Sequence, residues 1–316
     1  MDLSLVIPLY NEEESLTPLV EWIERVVKDK YSYEIILVDD GSTDGSWRQI
    51  EELVDTKPHI SAFKFRRNYG KSAALHVGFE NSRGNVVITL DADMQDSPDE
   101  IPELYTMVKD GGYDIVSGWK KRRFDPLGKT IPSKFYNGFV RFISGINLHD
   151  FNCGLKAYGS EVVHNIEVYG EMHRYIPLLA KWSGFRNVTE KIVRHYPRKY
   201  GKSKFGIDRY IKGSLDVMSI MFVGRFGKRP MHLFGTIGVL FFIIGFGMLL
   251  YLTILKVVQN TGGIHQRPLF YFGILLLIVG SQSFLTGFIA EMIVRSSGGR
   301  NRYHIEKRIG EKRGEG

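Results

Sequence analysis

The chain has 316 residues, of which 43% are hydrophobic and 24% are charged, and its formal net charge is +7. This length and composition fit one globular domain with an additional segment. The single cysteine, Cys153, excludes an internal disulfide and agrees with a cytoplasmic domain. The start of the chain, MDLSLVIPLYNEE, has no basic n-region, which argues against a cleavable signal peptide.

The first predicted elements, in residues 3–118, alternate short apolar runs with amphipathic runs. The apolar runs predict five strands: LSLVIPL, YEIILVDD, ISAFKF, NVVITLDAD and YDIVSG. The amphipathic runs predict helices at Glu13–Lys28, Gly45–Val54, Lys71–Asn81 and Pro98–Lys109. This alternation predicts an α/β domain with a mostly parallel sheet that is covered on both faces. Ligands bind beyond the carboxyl ends of such strands, where the polar runs PLYNEEE, DDGSTDGS and DADMQD follow.

The next part of the chain, up to residue 230, has a looser pattern. It predicts a helix at SKFYNGFVRFISGI, a short segment DFNCGLKAYGS, a helix at Arg174–Ser183 and a strand at NVTEKIVRHY. Residues 198–230 are basic and amphipathic, which predicts one or two helices in a membrane interface.

Two uncharged apolar runs of 23 residues follow, Leu233–Leu255 and Pro268–Ala290. Each can cross about 30 Å of hydrocarbon as a helix. A buried core helix is the alternative, but such a helix rarely stays apolar on all sides over this length. The glycine- and charge-rich tail after Arg295 is expected to be mobile. The predicted division is a domain at 1–197, juxtamembrane helices at 198–230, two transmembrane helices at 231–294 and a basic tail at 295–316.

The positive charge is concentrated on both sides of these apolar runs. Residues 194–230 contain ten Lys or Arg against two acidic residues, and residues 295–316 contain seven against three. By the positive-inside rule both flanks lie in the cytoplasm and the connector at 256–267 lies outside. The basicity therefore indicates contact with anionic lipid and not a nucleic-acid-binding face.

The stretch VVITLDADMQDSPDE ends an apolar run with acidic residues. If strand geometry persists, Asp91, Asp93 and Gln95 point to one face. Two carboxylates and an amide oxygen form the kind of surface that Mg²⁺ or Mn²⁺ prefers, with substrate phosphates completing the shell. The alternative is an acidic turn in which Asp96 or Ser97 caps the next helix.

The stretch DDGSTDGS lacks the G-x-G-x-x-G pattern of a dinucleotide fingerprint. The acidic pair Asp39 and Asp40 better suits hydrogen bonds from a base edge and ribose hydroxyls. Ser42, Thr43 and Asp44 are expected to cap the following helix.

Six ordered motifs carry a resemblance over about residues 1–205: VIPLYNEEESL, ILVDDGSTDGS, NYGKSAAL, LDADMQDSPDEIP, DFNCGLKAY and RKYGKSKF. Together they resemble family 2 glycosyltransferases, in particular the dolichyl-phosphate-mannose-synthase-like polyprenyl-phosphate glycosyltransferases. The resemblance implies an enzyme with the GT-A fold, a nucleotide-diphospho-sugar donor and a divalent metal, Mg²⁺ or Mn²⁺. It also implies the following nucleotide-sugar-binding residues: Pro8, Tyr10, Glu12, Val38, Asp40, Asp91, Ala92, Lys120 and Lys129.

The resemblance assigns the chemistry to a second set of positions. The metal ligands would be Asp91, Asp93 and Gln95, and the acceptor phosphate would meet Arg198, Ser203 and Lys204. Asp150 matches an acidic position that acts as a base or orients the acceptor. The residues implied as catalytic are Asp93, Asp150, Arg198 and Lys204. At Lys120 and Lys129 the family often has arginine, and lysine keeps the charge but loses the bidentate fork.

The implied reaction is an inverting, metal-dependent transfer of a hexose to a polyprenyl phosphate on the cytoplasmic face of the inner membrane. UDP-glucose or a related UDP-hexose is the first choice of donor, and GDP-mannose is the second. A processive polysaccharide synthase would carry a Q-x-x-R-W-type element, to which LAKWSGF is the nearest match, and more spans. A sugar-nucleotide nucleotidyltransferase would not explain the membrane anchor. An alternative function is a membrane-tethered scaffold that binds nucleotide without catalysis. The sequence also leaves open whether the protein forms a homo-oligomer through its transmembrane helices.

Overall fold

The computed structural model describes most of the chain, and the longest gap is at residues 198–229, before the first apolar run. The described residues are 1–121, 137–138, 140–141, 144–197, 230–259, 263, 265, 267–296 and 305–309. They fall into two compact units, Met1–Ile211 with Asn301–Gly316, and Lys212–Arg300. The predicted domain boundaries stay a prediction.

The first unit contains eight strands and six α-helices among the described residues. The strands are β1 (Leu3–Leu9), β2 (Tyr33–Asp39), β3 (Ile60–Phe65), β4 (Val86–Thr89), β5 (Ile115–Trp119), β6 (Lys156–Gly159), β7 (Val188–Ile192) and β8 (Ile305–Ile309). The helices are α1 (Glu13–Val27), α2 (Ser46–Thr56), α3 (Lys71–Glu80), α4 (Ile101–Lys109), α5 (Ser160–His164) and α6 (Ile176–Trp182). Short 3₁₀ turns at Pro98–Glu100 and Met172–Tyr175 precede α4 and α6.

The strands form one mixed sheet in the order β7-β5-β6-β4-β1-β2-β3-β8. The pairs β1–β2, β1–β4, β2–β3 and β5–β7 are parallel. β6 is antiparallel to both β4 and β5, and β8 is antiparallel to β3. The prediction of an α/β domain with a mostly parallel sheet is confirmed, and the carboxyl ends of β1, β2 and β4 lie along one edge.

The sheet has a hydrophobic core on each face because side chains alternate along a strand. In β1, Leu5 and Ile7 pack into the core that α1, α2 and α4 cover, whereas Val6 packs into the core of α3, α5 and α6. Every residue of β1 is buried. The predicted covering of both faces is therefore confirmed.

Three local predictions are wrong. The fourth strand ends at Thr89 and does not continue through the acidic residues. The helical region predicted at Pro98–Lys109 is present as a 3₁₀ turn followed by α4, but the predicted cap is wrong, because the Ser97 side chain forms no capping hydrogen bond. Residues 305–309 of the tail, expected to be mobile, form a strand on the open edge of β3.

The second unit contains two long apolar helices, α7 (Pro230–Gln259) and α8 (Pro268–Ser296). Both are long and apolar enough to cross a membrane, with mean hydropathy of 2.5 and 1.9. They pack closely, since a Cβ atom placed on Gly238 would lie 2.7 Å from the carbonyl oxygen of Gly280. Small residues allow this backbone approach between transmembrane helices. Large side chains such as Ile243, Phe246 and Ile293 are exposed, as expected for contact with lipid.

The packing of α3 on β1 generates a stability prediction. A Cβ atom on Gly78 would lie 2.2 Å from Cγ1 of the fully buried Val6. Gly78→Ala should therefore lower the free energy of unfolding by about 1–3 kcal/mol, measured by chemical denaturation of the detergent-purified protein. The matched control is Gly159→Ala, where the nearest atom would be 3.9 Å from the new Cβ. Equal stability of the two variants would contradict this packing.

Candidate functional site

The loops after β1 and β2 are joined by hydrogen bonds at the carboxyl edge of the sheet. Asn11, which has a positive φ of 53°, accepts the N–H of Thr43 at 2.8 Å, and its own N–H donates to Ser42 Oγ at 2.8 Å. The Glu12 N–H donates to Ser46 Oγ at 2.9 Å. These bonds place the partly exposed Tyr10 and Glu12, both predicted to bind nucleotide, beside the DDGSTDGS loop.

The predicted caps of the helix after β2 are only partly present. The N-cap residue of α2 is Gly45, which forms no side-chain cap, and Asp44 Oδ1 accepts the N–H of Ser46 at 3.0 Å. Ser42 and Thr43 instead contact Asn11. The expectation that Ser42 and Thr43 cap α2 is therefore wrong, because they bridge to the neighbouring loop.

Asp39 and Asp40 are both buried at the end of β2. Asp39 Oδ1 accepts the N–H of Ser42 at 2.9 Å, and its Oδ2 has no hydrogen-bond partner in the part of the chain that the structure describes. Asp40 accepts the N–H groups of Tyr69 at 2.7 Å and Gly70 at 2.9 Å. Burial raises the pKa of Asp40 to about 6 against these two bonds. The carboxylate of Asp40 thus fixes the loop before α3, and its contact with a nucleotide stays a prediction.

The start of α3, which follows this loop, contacts the acidic stretch after β4. Lys71, the first residue of α3, forms an ion pair with Asp91, and each side chain is about one-third exposed. Thr89 Oγ1, two residues before Asp91, donates to the carbonyl oxygen of Gly154 at 2.8 Å. The structure therefore brings together the segments around Asp40, Asp91 and Gly154, which are distant in sequence.

The acidic stretch is a turn and not a strand. Met94 has a positive φ of 55°, and Asp93 accepts the N–H of Gln95 at 3.2 Å. The expectation that Asp91, Asp93 and Gln95 share one face through strand alternation is wrong, because strand geometry ends at Thr89.

The donor set of this turn fits a divalent cation only with help from a ligand. No group of three or more His, Cys, Asp or Glu side chains is arranged around a metal position within the described residues. Asp91 and Asp93 are partly exposed, and Gln95 Nε2 donates to the carbonyl oxygen of Tyr196 at 3.4 Å. Mg²⁺ keeps waters and completes its shell with substrate phosphates, so two carboxylates and an amide oxygen are a sufficient protein contribution.

Asp96 lies at the centre of a buried charge cluster. Its side chain is fully buried, with Lys120 Nζ 2.7 Å and His195 Nδ1 3.7 Å from Oδ1. Burial would raise the pKa of Asp96, but the Lys120 charge and the contact with His195 outweigh it and lower the pKa to about 2. Burial alone would lower the pKa of the Lys120 ammonium group. The nearby Asp96 charge outweighs burial, so the pKa of Lys120 is raised. Backbone pairing of Asp96 with His195 and a 2.8 Å bond from the Tyr196 N–H to Gln95 O reinforce the cluster.

Several predicted nucleotide-sugar residues are buried structural residues in this site. Pro8 and Val38 are paired across β1 and β2, and Ala92 is 4% exposed. The ammonium group of Lys120 is held by Asp96. The contact of each with a donor stays a prediction.

Asp150 is 1% exposed and lies in the segment before β6. Its Oδ1 accepts the N–H of Asn152 at 3.0 Å, and its carbonyl oxygen accepts the hydroxyl of Ser117 at 3.4 Å. These contacts show that Asp150 organises the local turn. Its role as a base or a positioning group stays a prediction.

The other predicted site residues, Lys129, Arg198, Ser203 and Lys204, lie outside the described residues. The same holds for residues 198–229, where interfacial helices are predicted, and for half of the helix predicted at SKFYNGFVRFISGI.

Sequence reasoning missed the contacts of three side chains, Lys71, Asp96 and His195, that tie this site together. Lys71 stood in the motif NYGKSAAL, but no pattern indicated that it meets Asp91. The sequence pattern predicts only a helix cap for Asp96, and it indicates no role for His195. The available signal for Asp96 was its position as an acidic residue directly after the stretch that contains Asp91, Asp93 and Gln95.

The raised pKa of Asp40 generates a pH prediction. Because the folded value of about 6 exceeds the ordinary 3.8, the folded state binds more protons in this window, so Asp40 lowers stability as pH rises through it. Asp40→Asn should remove this contribution, so that the melting temperature of the detergent-purified variant falls less than that of wild type between about pH 4 and about pH 7. The exposed Asp55→Asn serves as control and should follow wild type. Identical slopes in the wild type and the Asp40 variant would contradict the assignment.

The Asp96 cluster generates a stability prediction. Asp96→Asn leaves the buried Lys120 ammonium without its counter-charge and should cost about 3–5 kcal/mol in the free energy of unfolding. Adding Lys120→Met to the same protein should recover part of this loss, which chemical denaturation of both variants measures. Glu52→Gln breaks an exposed ion pair with Arg48 and should change stability by less than about 1 kcal/mol. A loss in the Asp96 variant as small as that control would show that the cluster is not a stabilising unit.

Comparison with known proteins agrees with this arrangement. The family model described as glycosyl transferase family 2 matches residues 4–166. A dodecaprenyl-phosphate galacturonate synthase from Rhizobium johnstonii is 36% identical over 300 residues, covering 94% of this chain and 88% of that protein. An undecaprenyl-phosphate 4-deoxy-4-formamido-L-arabinose transferase from Proteus mirabilis is 33% identical over 315 residues, covering 98% and 94%.

A solved structure shares the fold. Glucosyl-3-phosphoglycerate synthase from Mycobacterium tuberculosis, in complex with Mn²⁺ and UDP-glucose, superposes with a TM-score of 0.52 at 18% identity. The superposition covers 71% of this chain and 78% of that chain. The α/β sheet is therefore GT-A-like. The family match over more than half of the chain and the two relatives show that this protein belongs to glycosyl transferase family 2 and is a glycosyltransferase.

Proposed function

We propose that this protein transfers a hexose from a nucleotide-diphospho-sugar to a polyprenyl phosphate at the cytoplasmic face of the inner membrane. The observation that carries this proposal is the turn containing Asp91 and Asp93, held at the carboxyl edge of the sheet by Lys71 and Asp96. The names of the two relatives support the lipid acceptor, since both names describe sugar transfer to a polyprenyl phosphate. The similarity to each relative extends along almost the whole of this chain.

The nucleotide of the donor would lie at the ends of β1 and β2. Tyr10 and Glu12 are partly exposed there, and Asp40 fixes the adjoining loop. A UDP-hexose such as UDP-glucose is the first choice of donor, and GDP-mannose is the second. The relatives' names give two different sugars, galacturonate and a formamido-arabinose, so resemblance alone does not select the sugar.

The donor diphosphate would lie against the turn after β4. Asp91, Asp93 and Gln95 would hold Mg²⁺ or Mn²⁺ together with the phosphate oxygens, and the Mn²⁺ and UDP-glucose in the fold neighbour support this. A bound divalent ion there would neutralise negative charge that develops on the leaving nucleoside diphosphate. Lys71 lies beside Asp91 and adds positive charge on the same side.

The acceptor phosphate would approach from the membrane. One of its oxygens attacks the anomeric carbon, the bond from that carbon to the diphosphate oxygen breaks, and the configuration inverts. Arg198, Ser203 and Lys204 would hold the acceptor phosphate against the repulsion of the donor. A phosphate monoester is largely ionised at neutral pH, with a second pKa of about 6, so Asp150 is assigned to orienting the acceptor and not to removing a proton.

The membrane arrangement follows from α7, α8 and their flanks. Both helices are long and apolar enough to span a bilayer, and basic segments flank them. We place both flanks in the cytoplasm and the connector outside, so that the catalytic domain meets the headgroup of its lipid acceptor.

The test is transfer of radiolabelled sugar into the organic phase from nucleotide-sugars, with polyprenyl phosphate and Mg²⁺ or Mn²⁺. Asp93→Asn should lower this transfer by about 100-fold or more and weaken metal-dependent binding of nucleoside diphosphate, because a ligand carboxylate is lost. Asp110→Asn, an exposed substitution of the same type, should behave as wild type.

The outcomes of this assay separate the alternatives. Label in the organic phase supports transfer to lipid, whereas label in high polymer indicates a processive synthase. Nucleotide binding without any transfer indicates a scaffold. Full activity of Asp93→Asn, or of wild type in excess EDTA, would remove the metal from the mechanism.

A further inference from the structure

A buried lysine binds the turn that contains Asp150. This segment, residues 150–154, directly precedes β6 and is called the Asp150 turn below. Lys156, the first residue of β6, is 3% exposed. Its Nζ donates to the carbonyl oxygen of Phe151 at 3.2 Å and also to that of Cys153. One side chain therefore holds two carbonyl oxygens of the same turn.

The strands on either side of β6 also bind the Asp150 turn. Ser117 Oγ, from β5, donates to the carbonyl oxygen of Asp150 at 3.4 Å. Thr89 Oγ1, from β4, donates to the carbonyl oxygen of Gly154 at 2.8 Å. Together with Lys156, side chains from three adjacent strands bind four carbonyl oxygens of this turn among the described residues. The path of the turn is therefore fixed by the sheet.

The Asp150 turn also lies against the acidic turn after β4. A Cβ atom placed on Gly154 would lie 2.4 Å from Cγ of Asp91, so this position has no room for a larger residue. The turn therefore connects Asp91, proposed to bind the metal and the donor diphosphate, with Asp150, proposed to orient the acceptor. A shift of the turn would change the separation of these two carboxylates.

The burial of Lys156 costs free energy, because its terminal amino group is removed from water. Burial lowers the pKa of Lys156, and negative charge at Asp150 and Asp91 acts in the opposite direction without reversing this. A long apolar side chain would fill the same space without this cost. The contribution of Lys156 is therefore the position of the Asp150 turn and not a general gain in stability.

We propose that Lys156 is a positioning residue for sugar transfer and that it acts through Asp150. This inference rests on the proposed function, in which Asp150 orients the acceptor phosphate. Without Lys156 the carbonyl oxygens of Phe151 and Cys153 lose their donor, so the turn and the Asp150 carboxylate shift. The donor side keeps the ion pair of Lys71 with Asp91, so the loss falls mainly on the acceptor.

A double-mutant cycle tests whether Lys156 acts through Asp150. Lys156→Met keeps the length of the side chain but removes its N–H groups, and it should lower kcat/KM for polyprenyl phosphate by about tenfold or more. The Kd of the active nucleotide-sugar should change by less than about threefold. In a protein that already carries Asp150→Asn, Lys156→Met should lower transfer by less than about threefold further, because its effect passes through Asp150.

Three further variants separate positioning from loss of folded protein. Ser117→Ala removes another bond of the same turn and should show the same dependence on Asp150 with a smaller loss. Lys109→Met makes the lysine substitution at an exposed site in α4 and should leave transfer unchanged. Gly78→Ala, which disturbs packing on Val6, should lower transfer by the same factor with and without Asp150→Asn. Independent effects of Lys156→Met and Asp150→Asn, or full activity of Lys156→Met, would overturn the inference.

Hydrogen–deuterium exchange tests the turn without any substrate. The N–H of Asn152, which donates to Asp150 Oδ1, should exchange about tenfold faster or more in Lys156→Met. The N–H groups of the buried strand β1 should exchange as in wild type, which shows that the variant is folded. If no donor transfers sugar to lipid, the proposed function fails, and exchange still decides whether Lys156 holds the turn. Transfer to lipid by wild type together with unchanged exchange in Lys156→Met would leave the proposed function standing and overturn this inference.

Discussion

The buried carboxylate of Asp96 is the contact on which the candidate site depends. It joins the turn after β4 to Lys120 at the end of β5 and to His195 after β7. A charge removed from water must be paired, so these three segments cannot separate without a large cost in free energy. The adjacent bond between the Tyr196 N–H and the carbonyl oxygen of Gln95 extends the constraint along the turn. The metal-binding residues proposed for this turn are thereby held against the sheet from one side.

A second chain of contacts holds the turn from the other side. Asp40 accepts two N–H groups from the loop before α3, and Lys71, the first residue of α3, pairs with Asp91. The end of β2, where we propose that the nucleotide binds, and the turn proposed for the diphosphate are therefore connected through one short segment. Support of this kind around a site keeps its reactive groups at fixed separations.

The fold also explains how two anions can meet in one reaction. We propose that the donor binds at the carboxyl edge of the parallel strands, where Lys71 and a bound divalent ion would balance its charge. The acceptor is assigned to the basic segment that begins at Arg198, two residues after Tyr196. The N–H of Tyr196 donates to the carbonyl oxygen of Gln95, in the turn proposed for the diphosphate. In this proposal, one group of positive charges would serve the donor diphosphate and a second would serve the acceptor phosphate.

The sequence by itself determined the α/β sheet, its principal strands and helices, and the two apolar helices, because these depend on local periodicity and length. It also located the polar runs at the carboxyl edge and the motifs of the family. Only the tertiary structure decided where the fourth strand ends, that residues 305–309 add a strand, and which charged groups meet. Lys71 with Asp91, and Asp96 with His195, are contacts between residues far apart in the chain. The local sequence shows that a residue is charged. Which partner compensates a buried charge depends on the packing of segments that are distant in the chain.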